Sequence, residues 1–113
     1  MSWFNQVQEP LVVPDLVIPE VTYLLAAGAR TNVEAEFLRS LASGRPSIEH
    51  VVEADLERAA DLVERYSDLG LGTVDAAVVA MAERLGATRI ATLDRRHFSV
   101  VRPQHIDSFA LLP

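Results

Sequence analysis

The sequence predicts an α/β fold in which a mostly parallel sheet is flanked by helices. Short apolar runs rich in Val and Ile alternate with amphipathic segments of helical length, and this alternation is typical of parallel strands joined by helical crossovers. Half of the 113 residues are hydrophobic, which is enough for one core of ordinary size and too little for two. We therefore expect one domain that spans residues 1–113.

Composition excludes several classes of protein. The chain has no Cys, so disulfides and thiolate metal sites are ruled out, which suits a reducing compartment. Its apolar runs stay well short of the roughly 20 residues that a membrane span needs, and its first residues lack the pattern of a signal peptide. We expect a soluble, cytoplasmic protein with no membrane partner.

The first predicted elements are a strand and a long apolar helix. Residues 10–14 are a β-branched run between two prolines, which predicts a short strand. A helix should follow, capped by Asp15, with Pro19 in its first turn and Gly28 at its end. This segment is apolar on nearly every side, so we expect it to be buried, with Tyr23 in the core or at a dimer contact rather than acting as a stacking platform. Glu20 is the lone charge inside it.

The middle of the chain predicts two helices separated by a strand. Apolar spacing predicts a helix over residues 31–43, a strand over residues 47–52 and a second helix over residues 53–67. The inner face of the latter helix is expected to carry Leu56, Ala59, Ala60 and Val63.

The last third predicts a buried helix followed by strands. Thr73 is a good N-cap and Gly86 a good terminator for a helix between them. Residues 89–94 predict a strand that ends at Asp94, residues 100–102 a weaker strand, and residues 109–112 an edge strand.

Three carboxylates stand out by their position. Glu20 and Asp75 fall in first helical turns, and Asp94 falls at the end of a strand. Each alone has an ordinary explanation, because a carboxylate near a helix N-terminus is stabilised by about 0.3–1 kcal/mol and an Asp can cap a turn. Together they occupy positions that converge at one edge of a parallel sheet, where ligand sites gather. Carboxylates without His or Cys suit hard cations, so the sequence predicts a Mg²⁺ or Mn²⁺ site.

Charge is distributed unevenly around this predicted site. The net charge is −6, yet residues 84–113 carry 5 Arg against 2 acidic residues. Phosphate oxygens could accept hydrogen bonds from Arg95, Arg96 and Arg102. The alternative is that these residues only form a solvated surface turn. The three His residues include no pair at helical spacing, which argues against a histidine metal site.

Three motifs give the sequence a family resemblance. Residues 19–25, 72–82 and 91–98 resemble, in order and spacing, the acidic motifs of the PIN domain, and in particular those of VapC-type toxin–antitoxin ribonucleases. The resemblance covers nearly all of residues 10–113. It implies a PIN-like fold, Mg²⁺ or Mn²⁺ held by Glu20, Asp75 and Asp94 for RNA cleavage, and RNA contacts from Arg95, Arg96 and Arg102. It also implies a homodimer, a VapB-like antitoxin and a tRNA or rRNA substrate.

The sequence departs from the family at its start. The family opens with a strand that ends in Asp followed closely by Ser or Thr, whereas residues 1–10 contain no Asp. We therefore expect an N-terminally truncated PIN-like domain that lacks this strand and the first acidic ligand. A true start further upstream, a degenerate relative, and pairing of residues 3–7 into the gap all remain open.

Two functions follow from the resemblance. The first is a Mg²⁺-dependent endoribonuclease toxin of the VapC type, held inactive by its antitoxin. The second is a catalytically defective PIN remnant that only dimerises or binds antitoxin. A small-molecule binding protein is a third class, but the phosphate-cradling glycine loop that it would need is missing from the sequence.

Overall fold

The computed structural model describes residues 11–28, 30–91, 98–106 and 109–112. The chain divides into two compact units, Met1–His50 and Val51–Pro113, and each is described by itself. Both units combine helices with a pair of parallel strands, so the predicted α/β class is confirmed. The single-domain assignment stays a prediction, as does the missing opening strand, because residues 1–10 lie outside the described residues.

The first unit is built on a short parallel pair of strands. Strand β1 (Val12–Pro14) pairs with β2 (Ser47–Glu49), with Val13 opposite Ile48. Two helices, α1 (Ile18–Ala27) and α2 (Thr31–Ala42), connect the strands, as parallel pairing requires a crossover. The strands predicted at residues 10–14 and 47–52 are both present, and both are shorter than predicted.

Helix α1 begins later than the sequence predicts. Residues Asp15–Val17 form a 3₁₀ turn, and Val17 is the N-cap of α1, without a capping side chain. The prediction that Asp15 caps this helix is wrong: one of its carboxylate oxygens lies 3.3 Å from His50 Nδ1, just beyond β2. Pro19 lies in the first turn as predicted, and Gly28 ends the helix by donating its N–H to the Leu24 carbonyl.

The predicted burial of α1 is also wrong. None of its residues is buried, and Tyr23 is 73% and Leu24 64% exposed. Helix α2 by contrast buries Phe37 and Leu41, one turn apart on the same face. An apolar helix is buried only where other residues cover it, and the described part of the first unit covers one side of α1.

The second unit is a helix pair followed by a second parallel pair of strands. Helix α3 (Glu53–Arg65) packs against α4 (Thr73–Leu85), with a 3₁₀ turn, Ser67–Leu69, between them. Gly86 ends α4 with φ +69°, a left-handed conformation that favours glycine, and Ala87 donates its N–H back to the Ala82 carbonyl.

Strand β3 (Arg89–Ala91) pairs in parallel with β4 (Ala110–Leu112), so the predicted edge strand near residue 109 is confirmed. The predicted strand at residues 100–102 is wrong. Val101 is fully buried there without strand structure, and the Arg102 N–H donates to the Tyr66 hydroxyl at 2.9 Å. The backbone N–H of Arg102 thus bonds a side chain and not the backbone of a neighbouring strand.

The core of the second unit surrounds α4. The prediction of a buried helix is confirmed, because six of its thirteen residues are buried. Leu62 of α3 and Val101 complete the most deeply buried set. The buried residues of α4 are Ala76, Ala77, Val79, Ala80, Met81 and Ala82. In the part of the chain that the structure describes, no helix combines the length and hydropathy needed to cross a membrane.

Candidate metal centre

Glu20 is the third residue of α1 and is exposed to solvent. Its carboxylate lies in the first turn, where the positive end of the helix dipole stabilises negative charge. With Pro19, Tyr23 and Leu24 it lines an open depression of about 340 Å³. Glu20 is therefore accessible to a ligand from solvent, which is the property that a metal-binding carboxylate needs.

Asp75 occupies the matching position in α4. Gly72, and not the predicted Thr73, is the N-cap: its carbonyl accepts the Ala76 N–H at 2.9 Å, and Asp75 is the third helical residue. Its side chain is half-buried. The prediction that Glu20 and Asp75 each lie in a first helical turn is confirmed.

The other predicted site residues divide into two groups. Asp94, Arg95 and Arg96 lie outside the described residues. Arg102 is described and exposed, and one of its guanidinium N–H groups donates to the Ser99 carbonyl at 3.3 Å. Among the residues with described positions, no three acidic or histidine side chains gather as a metal cluster would. Convergence of Glu20, Asp75 and Asp94 stays a prediction.

Two ion pairs that sequence reasoning missed join α3 to α4, the helix that carries Asp75. The Arg84 guanidinium donates two hydrogen bonds of 3.0 Å to Asp55, one to each carboxylate oxygen. The Asp55 carboxylate also accepts the N–H of Val52, the N-cap of α3, at 2.9 Å. The Asp55 side chain is only 2% exposed, and both of its carboxylate oxygens accept hydrogen bonds.

The second pair lies one turn away. Arg58 donates to both carboxylate oxygens of Glu83, at 2.8 and 3.1 Å, and Glu83 also accepts the Gln104 N–H at 2.7 Å. Forked arginine–carboxylate contacts fix orientation as well as distance. These two pairs therefore fix how α4 is rotated about its axis and how far it is shifted along α3. They thereby also fix the direction in which the Asp75 side chain leaves α4.

A signal for these pairs exists in the sequence. Asp55 is the third residue of α3, the position from which a side chain can accept the N-cap N–H. The expected inner face of α3 is rotated: Leu56 and Ala60 are exposed, whereas Asp55, Ala59 and Leu62 are buried. A buried Asp at helical spacing from Ala59 and Leu62 needs a cation, and Arg84 on the next helix supplies it.

These contacts predict how stability depends on pH. Burial alone would raise the pKa of Asp55, but the Arg84 and Val52 hydrogen bonds outweigh burial and hold this pKa below its ordinary value. Burial would also raise the pKa of Glu83, but the hydrogen bonds from Arg58 and Gln104 outweigh this effect. The pKa of Glu83 is therefore lowered as well. A lowered folded-state pKa stabilises the fold above the unfolded-state pKa, about 3.9 for Asp and 4.3 for Glu, and this stabilisation is lost as the pH falls.

We therefore expect the free energy of unfolding to decline as the pH falls below about 5, as both carboxyls begin to take up protons on unfolding. Urea titrations at a series of pH values measure this. The double variant Asp55→Asn, Glu83→Gln should be less stable at neutral pH and should show a shallower decline. An equally steep decline in that variant would assign the acid sensitivity to other carboxyls.

The predicted ligand set suits a hard divalent cation. Glu20 and Asp75 offer carboxylate oxygens only, and Mg²⁺ and Mn²⁺ prefer oxygen ligands. The carboxylate oxygens of Glu20 and Asp75 are therefore the type of ligand that this class of ion prefers.

Comparison with known proteins gives the family of this chain. Residues 2–102 match the PIN domain family. Ribonuclease VapC26 of Mycobacterium tuberculosis (strain ATCC 25618 / H37Rv) is 39% identical over 105 residues, which are 93% of this chain and 78% of that relative. The range matched by the family spans the predicted ligand positions Glu20, Asp75 and Asp94. The chain belongs to the PIN domain family and, within it, to the VapC type.

Proposed function

We propose that this protein is a VapC-like endoribonuclease toxin that hydrolyses RNA phosphodiesters at an acidic metal site. The observation that carries the proposal is the 39% identity to a ribonuclease over 93% of the chain. The positions of Glu20 and Asp75 support it, since both carboxylates lie in first helical turns and neither is fully buried.

In this proposal Glu20, Asp75 and Asp94 hold Mg²⁺ or Mn²⁺. Such an ion would supply Lewis-acid chemistry, which would polarise a phosphoryl oxygen and make an attacking water more acidic. The protein's part is to place charge: the carboxylates fix the ion, and Arg95, Arg96 and Arg102 contact RNA phosphates. The guanidinium group of Arg102 keeps donors for this role, because it has five N–H groups and gives one to Ser99.

The VapC type also suggests the biological setting. We propose a type II toxin–antitoxin system in the cytoplasm, with a VapB-like antitoxin that blocks the acidic site, a homodimeric toxin, and tRNA or rRNA as the substrate. An acidic site is complementary to a basic antitoxin segment, and Arg is the side chain that best pairs with carboxylates.

Cleavage of RNA by purified protein tests the activity. The wild-type protein is expected to cleave tRNA or rRNA with Mn²⁺, and EDTA should stop this cleavage. The variant Asp94→Asn should not cleave. Asp61→Asn, an exposed change on α3, is the matched control and should cleave normally. Equal cleavage by wild type and Asp94→Asn would remove this mechanism. Antitoxin binding without metal-dependent cleavage would favour the defective remnant that only dimerises or binds antitoxin.

A further inference from the structure

The exposed side of α1 continues from the candidate ligand Glu20 to an aromatic ring. Tyr23 and Leu24 follow Glu20 by three and four residues, so all three side chains share one face of the helix. Together with Pro19 they line the same open depression of about 340 Å³. The ring of Tyr23 therefore borders the site at which the proposed function places RNA.

The opposite side of α1 faces the rest of its own unit. The half-buried residues of the helix recur at helical spacing, and they are Ile18, Val21, Thr22 and Leu25. The Thr22 hydroxyl bonds the carbonyls of Ile18 and Pro19, both at 3.1 Å, which further ties this side to the helix backbone. Tyr23 lies away from this stripe with 73% of its surface exposed. Of the two places expected for Tyr23, the core is therefore wrong, and the dimer contact stays a prediction.

We propose that Tyr23 is a stacking platform for one base of single-stranded RNA bound beside Glu20. This inference rests on the proposed function. An exposed aromatic ring can stack on any base because every base has a π-face, and the adjacent Leu24 can pack against the sugar or the base edge. Tyr loses little rotamer freedom on binding because its side chain has only two torsion angles.

The same face could also be covered by an apolar protein surface, and the position of Glu20 argues against this. An apolar cover over the depression would take the Glu20 carboxylate, and any ion that it holds, out of water, and burying charge in apolar surroundings is costly. RNA brings hydrogen-bond donors and its own cations to the same place. The observations therefore favour RNA over a second copy of the chain or another apolar partner.

Substitutions at Tyr23 separate stacking from apolar contact. The probe is a short fluorescein-labelled single-stranded RNA, with Ca²⁺ supplied as a hard cation, and binding is read by fluorescence anisotropy. Tyr23→Phe keeps the ring and should bind as wild type. Tyr23→Ala and Tyr23→Leu should each weaken binding by about 5- to 150-fold, the usual effect of removing one stacked ring. Leu38→Ala, which truncates an exposed apolar side chain on α2, is the control and should bind normally.

An abasic scan of the same RNA gives the decisive comparison. Removing one base should weaken binding to wild type, and removing that base should have little further effect on Tyr23→Ala, as expected for two groups that contact each other. Wild-type binding by Tyr23→Leu, or by Tyr23→Ala, would overturn the stacking role. Normal RNA binding by Tyr23→Ala together with loss of a dimer in sedimentation would assign the face to self-association.

The outcome also separates this inference from the proposed function. If wild type cleaves RNA with Mn²⁺ while Tyr23→Ala binds and cleaves equally well, only the stacking role fails. If wild type neither binds nor cleaves any RNA, both the proposed function and the stacking role fail.

Discussion

Asp75→Asn is expected to lower kcat/KM for Mn²⁺-dependent RNA cleavage by about 100- to 1,000-fold, the loss that follows removal of one key electrostatic group from an active site. Asn keeps the shape of the side chain but removes the charge that would fix the ion. The substitution also removes the favourable interaction of the carboxylate with the helix dipole of α4, which contributes about 0.3–1 kcal/mol to stability. Initial cleavage rates, together with the thermal shift induced by Mn²⁺, measure both effects.

Asp68→Asn is the matched control for this variant. Asp68 lies in the 3₁₀ turn Ser67–Leu69, is exposed, and undergoes the same chemical change close to the start of α4. It should retain both cleavage and the Mn²⁺-induced shift. If Asp75→Asn cleaved RNA as fast as Asp68→Asn, Asp75 would have no part in metal chemistry.

Asp55→Ala is expected to lower the free energy of unfolding by about 3 kcal/mol, the lower end of the cost of breaking a buried ion pair. The variant removes the Asp55 carboxylate from Arg84 and the acceptor for the Val52 N–H. We expect the lower end because the Arg84 side chain is 31% exposed and can turn to water. Urea denaturation followed by circular dichroism gives the value directly.

Asp61→Ala on the same helix is the control for Asp55→Ala, because Asp61 is exposed. It should change the free energy of unfolding by less than about 0.5 kcal/mol. A double-mutant cycle with Arg84→Ala should show a coupling within about 0.5–3 kcal/mol. Zero coupling would mean that the pair adds nothing to stability beyond the separate burial of its members.

Local rules explain why most elements were predictable from the sequence. β1 ends at Pro14, α1 ends at Gly28 and α4 ends at Gly86. Proline and glycine act on their own backbone conformation or that of their neighbours, so these ends can be predicted locally. The placement of Glu20 and Asp75 in first helical turns was predictable for the same reason.

Features that depend on distant residues were not predictable from local patterns. Asp55 takes a core position on α3 only because Arg84, 29 residues later, neutralises it. The exposure of Tyr23 depends on what covers α1, which the hydrophobic pattern of the helix does not encode. Convergence of Glu20 with Asp75 and Asp94 is a relation of the same long-range kind. It is predicted from the expected sheet topology and from the motif similarity to PIN domains, and not from helix periodicity.

The alanine-rich burial of α4 affects how sequence similarity around Asp75 should be weighed. Ala76, Ala77 and Ala80 leave little space for a larger side chain, so selection for a stable fold preserves this segment whether or not the protein cleaves RNA. A homologue that has lost catalysis would keep the same small residues for as long as it folds. Across relatives, substitution at accessible Glu20 is therefore a more sensitive record of lost activity than divergence within α4.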